Sequence, residues 1–213
     1  TSADAPTPVL LVGNDDGRVE KWDLQSGLQM CMLGQEGEKM GVTSVAVFEP
    51  WDRRAVPVLI TGHESGKVRI TDYATGVLLR DLSSATPDPI SSASIFVPNR
   101  SGISPFIISC VGKVATMWDF HTGRIVRTFT GAHSKVISSS TLCRLPDAAS
   151  APLLFTDSED RQVVRWDLNA RQMQRPMRDE RPVTAVAVYT PYNDSQPPLL
   201  ITAVEGSPAD SGS

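Results

Sequence analysis

Cysteine is scarce in this sequence, and the three residues of this type lie far apart, at Cys31, Cys110 and Cys143. A disulfide framework or a thiolate zinc site requires several cysteines at short, regular spacings, so neither is expected here. Isolated cysteines of this kind usually behave as small buried apolar side chains. We therefore expect an intracellular protein, cytoplasmic or nuclear, because that compartment keeps thiols reduced.

Long apolar runs and an excess of positive charge are also missing. No stretch approaches the roughly 20 apolar residues that cross a bilayer, and the net charge is −4 with a pI near 5.4. A nucleic-acid surface normally requires clustered lysine and arginine, so neither a membrane nor a nucleic acid is expected as a partner. The N-terminus lacks an initiator methionine and the features of a signal peptide, and we expect the chain to be part of a longer protein.

Residues suited to catalysis or metal binding are few. The three histidines fall in different loops of the repeat described below: His63 between a second and a third strand, His121 between a third and a fourth, and His133 before a first strand. No histidines or cysteines have metal-ligand spacing, and no glycine-rich phosphate loop is present. We therefore predict that the chain is not an enzyme and takes no cofactor and no metal.

A pattern of 47 to 49 residues repeats along the chain. It is carried by the segments 9–27, 58–76, 106–123 and 153–171, and 199–206 begins a fifth copy. One position holds Trp22, Thr71, Trp118 and Trp166, and the next holds Asp23, Asp72, Asp119 and Asp167. A proline opens every unit, at Pro8, Pro57, Pro105, Pro152 and Pro198. Such self-similarity is typical of repeat architectures.

Each unit has the pattern of four short strands, with alternating apolar and polar residues between glycine-containing turns. In the second unit the strands are predicted at 42–48, 58–62, 67–72 and 77–82. A four-stranded unit cannot bury both of its faces alone, whereas units stacked around an axis can, which favours a β-propeller over a sandwich. We predict an all-β chain of four-stranded antiparallel blades, about four blade equivalents in an incomplete ring. The units are 9–57, 58–105, 106–152, 153–198 and a partial 199–206 within a propeller segment 1–206, followed by a disordered tail 207–213.

The repeat resembles that of the WD40 family, because a Trp-Asp pair stands in register in three of the four full units. The resemblance covers residues 9 to 204 and implies β-propeller blades. It also implies a hydrogen-bonded set of histidine, threonine, aspartate and tryptophan within a blade. Only the fourth unit supplies all four, as His133, Thr156, Asp160 and Trp166.

The resemblance further implies an interaction scaffold that binds a protein or peptide through propeller loops. One end of the blades would present Met40, Lys135 and Arg181 from loops before first strands, with Glu64 and Glu159 from turns between second and third strands. Trp51 and Tyr192, in the proline-containing loops after first strands, are alternative contacts, although these loops are better explained as spacers. A second hypothesis is a regulatory or catalytic propeller of a larger enzyme, such as a quinoprotein-like dehydrogenase or a protein with a kinase or peptidase domain.

Overall fold

A computed structural model describes residues 8–34, 40–50, 56–97, 104–143, 152–168, 176–191 and 197–206. These residues form five antiparallel sheets and contain no helix, which confirms the all-β prediction. The chain divides into two compact units, Thr1–Ile95 and Phe96–Ser213. The predicted tail 207–213 and the residues Trp51 and Tyr192 lie outside the described residues.

Unit 1 contains one three-stranded sheet and one four-stranded sheet. The first consists of β1 (Val9–Gly13), β2 (Val19–Asp23) and β3 (Gln29–Leu33), paired in that order. The second consists of β4 (Val42–Phe48), β5 (Val58–His63), β6 (Lys67–Asp72) and β7 (Leu78–Ser83), which lie within one residue of the strands predicted for this unit. Strand β8 (Ile90–Phe96) reaches the boundary between the units.

Unit 2 contains strands of three sheets. Strands β9 (Phe106–Val111), β10 (Val114–Asp119) and β11 (Ile125–Phe129) pair in sequence. A four-stranded sheet follows, with β12 (Ile137–Cys143), β13 (Leu153–Ser158), β14 (Gln162–Asp167) and the short β15 (Met177–Arg178). The last pair is β16 (Val183–Tyr189) with β17 (Leu199–Val204). Four-stranded antiparallel blades are therefore present in both units.

The aspartate of the Trp-Asp position caps the turn after the third strand of a blade. The Oδ1 atom of Asp23 accepts the N–H groups of Gln25 and Ser26 at 2.7 and 2.9 Å. Asp72 and Asp119 hold the corresponding turns in the same way. These bonds favour the ionised carboxylate and lower the pKa of all three aspartates, the largest contribution coming from Ser26, Thr75 and Thr122 respectively.

The prolines that open the units are fixed by the residue that follows each aspartate. That residue donates its backbone N–H to the proline carbonyl, at 3.0 Å from Leu24 to Pro8, from Tyr73 to Pro57 and from Phe120 to Pro105, and at 3.2 Å from Leu168 to Pro152. A proline lacks an N–H of its own, so it fits the first position of a strand, where only its carbonyl is needed. These bonds extend the pairing of the second and third strands of a blade by one residue, up to the turn that the aspartate caps.

The sheets within a unit stack with a constant orientation. We call the face that carries the tryptophan position the tryptophan face and the opposite one the reverse face. In the sheet β12–β15 the tryptophan face carries Leu154, Val164 and Trp166, which pack against Ile108, Cys110, Ala115 and Met117 on the reverse face of the sheet β9–β11. Its own reverse face, with Leu153, Phe155 and Val163, packs against Val186, Val188 and Leu200 of the pair β16–β17.

Unit 1 follows the same rule. Val19 and Leu33, on the reverse face of the sheet β1–β3, form a buried cluster with Leu59 on the tryptophan face of the sheet β4–β7. Gly13 is needed at this contact, because a Cβ atom built on it would lie 2.5 Å from the side chain of Val42. Burial of apolar side chains between stacked faces, at roughly 25 cal/mol per Å² of apolar surface, is thus the main source of stability in each unit.

Candidate functional site

The four residues expected to form a network lie within hydrogen-bond distance of one another in the sheet β12–β15. Trp166 Nε1 donates to Thr156 Oγ1 at 2.9 Å, and Thr156 Oγ1 lies 2.8 Å from His133 Nε2. His133 Nδ1 lies 3.2 Å from an oxygen of Asp160. Because the carboxylate can only accept, Nδ1 carries the imidazole proton, and Nε2 accepts the hydroxyl proton of Thr156.

The network joins two loops at one end of this sheet. His133 precedes β12, whereas Asp160 lies in the turn between β13 and β14. Asp160 also accepts the backbone N–H of Ser134 at 2.8 Å and that of Gln162 at 3.1 Å. A backbone position held by several bonds to buried side chains is rigid, so the network fixes the loop before β12 against the β13–β14 turn.

We call this end of a sheet the loop rim: the loop before the first strand together with the turn between the second and third strands. On the loop rim of unit 2, Lys135 and Glu159 are exposed; they lie two residues after His133 and one residue before Asp160. Arg181, before β16, is exposed as well. Its segment is tied to the β13–β14 turn, because the N–H of Asp179 donates to the carbonyl of Arg161 at 2.9 Å.

The loop rim of unit 1 is fixed by other residues. Met40 is 48% exposed and precedes β4. Next to it, Gly41 and Glu64 exchange two hydrogen bonds: the N–H of Gly41 donates to Glu64 Oε2 at 3.2 Å, and the N–H of Glu64 donates to the carbonyl of Gly41 at 3.0 Å. Glu64 is exposed in the β5–β6 turn, so these bonds place its carboxylate beside Met40.

The sequence pattern predicts His63 in the turn between the second and third strands of its unit, and this prediction is wrong. His63 is the last residue of β5, 2% exposed, with its Nε2 2.8 Å from Thr61 Oγ1 and its Nδ1 3.4 Å from the carbonyl of Met40. It therefore repeats the histidine–hydroxyl contact of unit 2 from a different backbone position. Burial lowers its pKa below the usual 6.5, which favours the neutral ring.

The other two tryptophans of the repeat find different acceptors. In the sheet β9–β11, Trp118 Nε1 donates to Ser109 Oγ at 2.8 Å, and both residues are buried. In the sheet β1–β3, Trp22 Nε1 donates to Glu20 Oε2 at 2.8 Å, and Glu20 also accepts from Asn14. Thr71, which replaces the tryptophan in β6, is buried at 6% exposure. Asp167, the fourth aspartate of the Trp-Asp position, ends β14 and is half-buried.

A buried carboxyl group was not identified from the sequence. Asp157, on the reverse face of β13, is 0% exposed and accepts a hydrogen bond of 2.6 Å from Ser139. Ser139 in turn accepts the N–H of Val186 at 3.0 Å, which links β12 to β16. Within the described part of the chain, Asp157 Oδ2 has no hydrogen-bond partner. Burial raises the pKa of this carboxyl.

Sites for a metal or a ligand are limited in the residues that the structure describes. No group of three or more His, Cys, Asp or Glu among them is arranged to hold a metal ion. A cavity of about 20 Å³ in unit 1, lined by Leu59, Thr61 and His63 among others, has room for a water molecule. Burial raises the pKa of Cys110 to about 12, so its thiol is protonated. No helix long and apolar enough to cross a membrane occurs in the described ranges.

Comparison with known proteins agrees with this geometry. No family model matches the chain. Over 67 residues, 32% of the chain, it is 36% identical to a Dictyostelium discoideum protein described as WD repeat domain-containing protein 83 homolog. The match spans 19% of the length of that relative. Together with the antiparallel sheets at the repeat spacing, this similarity supports WD-type repeats that form β-propeller blades.

Proposed function

We propose that the chain is a protein-interaction module that binds a protein or peptide partner inside the cell through the loop rim of its blades. The observation that carries the proposal is the His133–Asp160 network, which fixes two loops that expose charged side chains. A surface that is ordered before binding loses less conformational entropy on binding, which favours affinity and specificity.

The chemistry of the loop rim indicates the kind of partner. In unit 2, Lys135 and Arg181 are cationic and Glu159 is anionic. In unit 1, Met40 offers an exposed, adaptable apolar side chain beside the carboxylate of Glu64. Methionine suits protein-binding surfaces because its thioether side chain is flexible and polarisable. We expect the partner to carry an acidic group opposite Lys135 or Arg181, because arginine and lysine pair with carboxylates.

Charge reversal at the rim tests the proposal. Lys135→Glu and Arg181→Glu should each weaken capture of the principal partner from native cells, measured by quantitative affinity purification, by about tenfold. Arg124→Glu is the matched control, because Arg124 is exposed in the β10–β11 turn, at the end of β10 opposite to the loop rim. All three variants should have unchanged melting temperatures.

The control should retain the partner. If the rim variants retain it and Arg124→Glu loses it, the binding surface lies at the other end of the blades and the proposal is wrong. Turnover in a dehydrogenase assay with added quinone would contradict the interaction role in favour of an enzymatic propeller.

A further inference from the structure

The cavity of unit 1 lies at the place where a tryptophan packs in unit 2. There the indole of Trp166 contacts the ring of Phe129 on the preceding sheet, with 5.3 Å between the ring centroids. In unit 1, Thr71 stands at the position of Trp166 and Leu33 at the position of Phe129. Both Thr71 and Leu33 line the cavity. The cavity therefore follows from the small side chain that replaces the indole between two stacked sheets.

The hydroxyl beside the cavity lacks the donor that its counterpart in unit 2 has. Thr61 and Thr156 both stand four residues after an opening proline. Thr156 Oγ1 accepts the indole N–H of Trp166 at 2.9 Å. Thr61 Oγ1 makes the same kind of contact with an imidazole, at 2.8 Å from His63 Nε2. It receives no bond from the tryptophan position, because the side chain of Thr71 has no N–H group.

The direction of the bond between Thr61 and His63 decides what else the hydroxyl can bind. His63 Nδ1 lies 3.4 Å from the carbonyl oxygen of Met40, and a carbonyl can only accept. Nδ1 therefore carries the imidazole proton, and Nε2 accepts the hydroxyl proton of Thr61. The oxygen of Thr61 can then still accept a hydrogen bond from a donor in the cavity that it lines.

We propose that this cavity binds one ordered water molecule, which donates a hydrogen bond to Thr61 Oγ1 in place of the indole N–H. Its volume of about 20 Å³ exceeds the roughly 10–15 Å³ that one water molecule needs and is too small for a larger ligand. A buried water molecule also needs two to four polar partners, and the polar side chains of Thr61, Thr71 and Arg69 line the cavity.

The water molecule completes a hydrogen-bonded chain that reaches the loop rim of unit 1. The chain runs from the water through Thr61 and His63 to the carbonyl of Met40, in the loop before β4. It corresponds to the chain from Trp166 through Thr156 to His133 in unit 2. The proposal concerns the interior of unit 1 and does not rest on the proposed function.

Oxygen-17 magnetic relaxation dispersion of the solvent counts long-lived internal water molecules and tests the proposal. The unaltered chain should hold one more of them than Thr71→Leu, because the larger apolar side chain occupies the cavity. Thr61→Val keeps the side-chain shape but removes the acceptor, and it should shorten the residence time of the water about fivefold, the effect of one lost hydrogen bond. Thr128→Leu, at an exposed position on β11, is the matched control and should keep the water count of the unaltered chain.

An equal water count in the unaltered chain and in Thr71→Leu would overturn the proposal, and so would an unchanged residence time in Thr61→Val. Far-UV circular dichroism checks that each variant is folded. If Thr71→Leu unfolds, Thr71→Val replaces it: this variant keeps the volume, removes a second polar partner and should also shorten the residence time. A crystal structure of the unaltered chain should show a water oxygen within about 3.2 Å of Thr61 Oγ1, and a cavity without density there would contradict the proposal.

Discussion

Replacement of Thr156 by valine removes the centre of the hydrogen-bond network while it keeps the shape of the side chain. The hydroxyl of Thr156 accepts from Trp166 and donates to His133, and all three side chains are buried. Valine leaves the indole N–H and the imidazole nitrogen without partners. Two lost bonds at about 1 kcal/mol each, with the added desolvation of two orphaned groups, should lower the free energy of unfolding by about 2–4 kcal/mol.

Two further variants separate the hydroxyl from other effects. Thr156→Ser retains the hydroxyl and removes only a buried methyl, so it should cost about 1 kcal/mol. Thr61→Val removes a hydroxyl that contacts His63 but no tryptophan, because Thr71 stands at the tryptophan position in β6. It should therefore cost less than Thr156→Val, about 1–2 kcal/mol.

The free energies should be measured by hydrogen exchange of individual amides, because the chain has two compact units that need not unfold together. The amides of Ser134 and Gln162, which donate to Asp160, report on the network directly. A Thr156→Val variant that lies within about 0.5 kcal/mol of Thr156→Ser would refute the reasoning, because the hydroxyl would then contribute nothing.

Three further outcomes follow from single residues. Arg161 has a φ of 69° in the β13–β14 turn, where the equivalent turns have Gly17 and Gly66. Arg161→Gly should therefore raise the free energy of unfolding of this sheet, measured by hydrogen exchange of its amides, by about 0.5–1 kcal/mol. The raised pKa of Asp157 favours the neutral acid in the folded state, so stability should fall as pH rises from 3.8, the ordinary value, through the raised pKa. Asp157→Asn should flatten this dependence in pH-resolved thermal melts. Asp119→Ala removes the turn cap and should lower the melting temperature by about 2–4 °C near neutral pH. Because the pKa of Asp119 is lowered in the folded state, the difference in melting temperature between the variant and the unaltered chain should shrink as pH falls below 3.8.

The strands were predictable because turn chemistry and alternation act locally. The glycine turns, the opening prolines and the Trp-Asp aspartates recur in register, and each makes the same contact in every unit where the structure describes it. The grouping of His133, Thr156, Asp160 and Trp166 was inferred from family resemblance, and the structure brings these residues together.

Other features depend on contacts between strands that no local pattern reveals. His63 follows a strand-like run and precedes a turn, so its burial depends on how far β5 continues. Asp157 occupies a position that holds Gly13, Gly62 and Cys110 in the other units, and nothing in its own segment indicates that Ser139 would meet it.

Hydrogen–deuterium exchange of the chain with and without its captured partner tests the interaction role most directly. Binding through the loop rim should slow exchange in the loop before β12 and in the β13–β14 turn, around Lys135 and Glu159. The β10–β11 turn, around Arg124, should exchange at the same rate in both states. Protection confined to the β10–β11 turn, with none at the loop rim, would contradict the account.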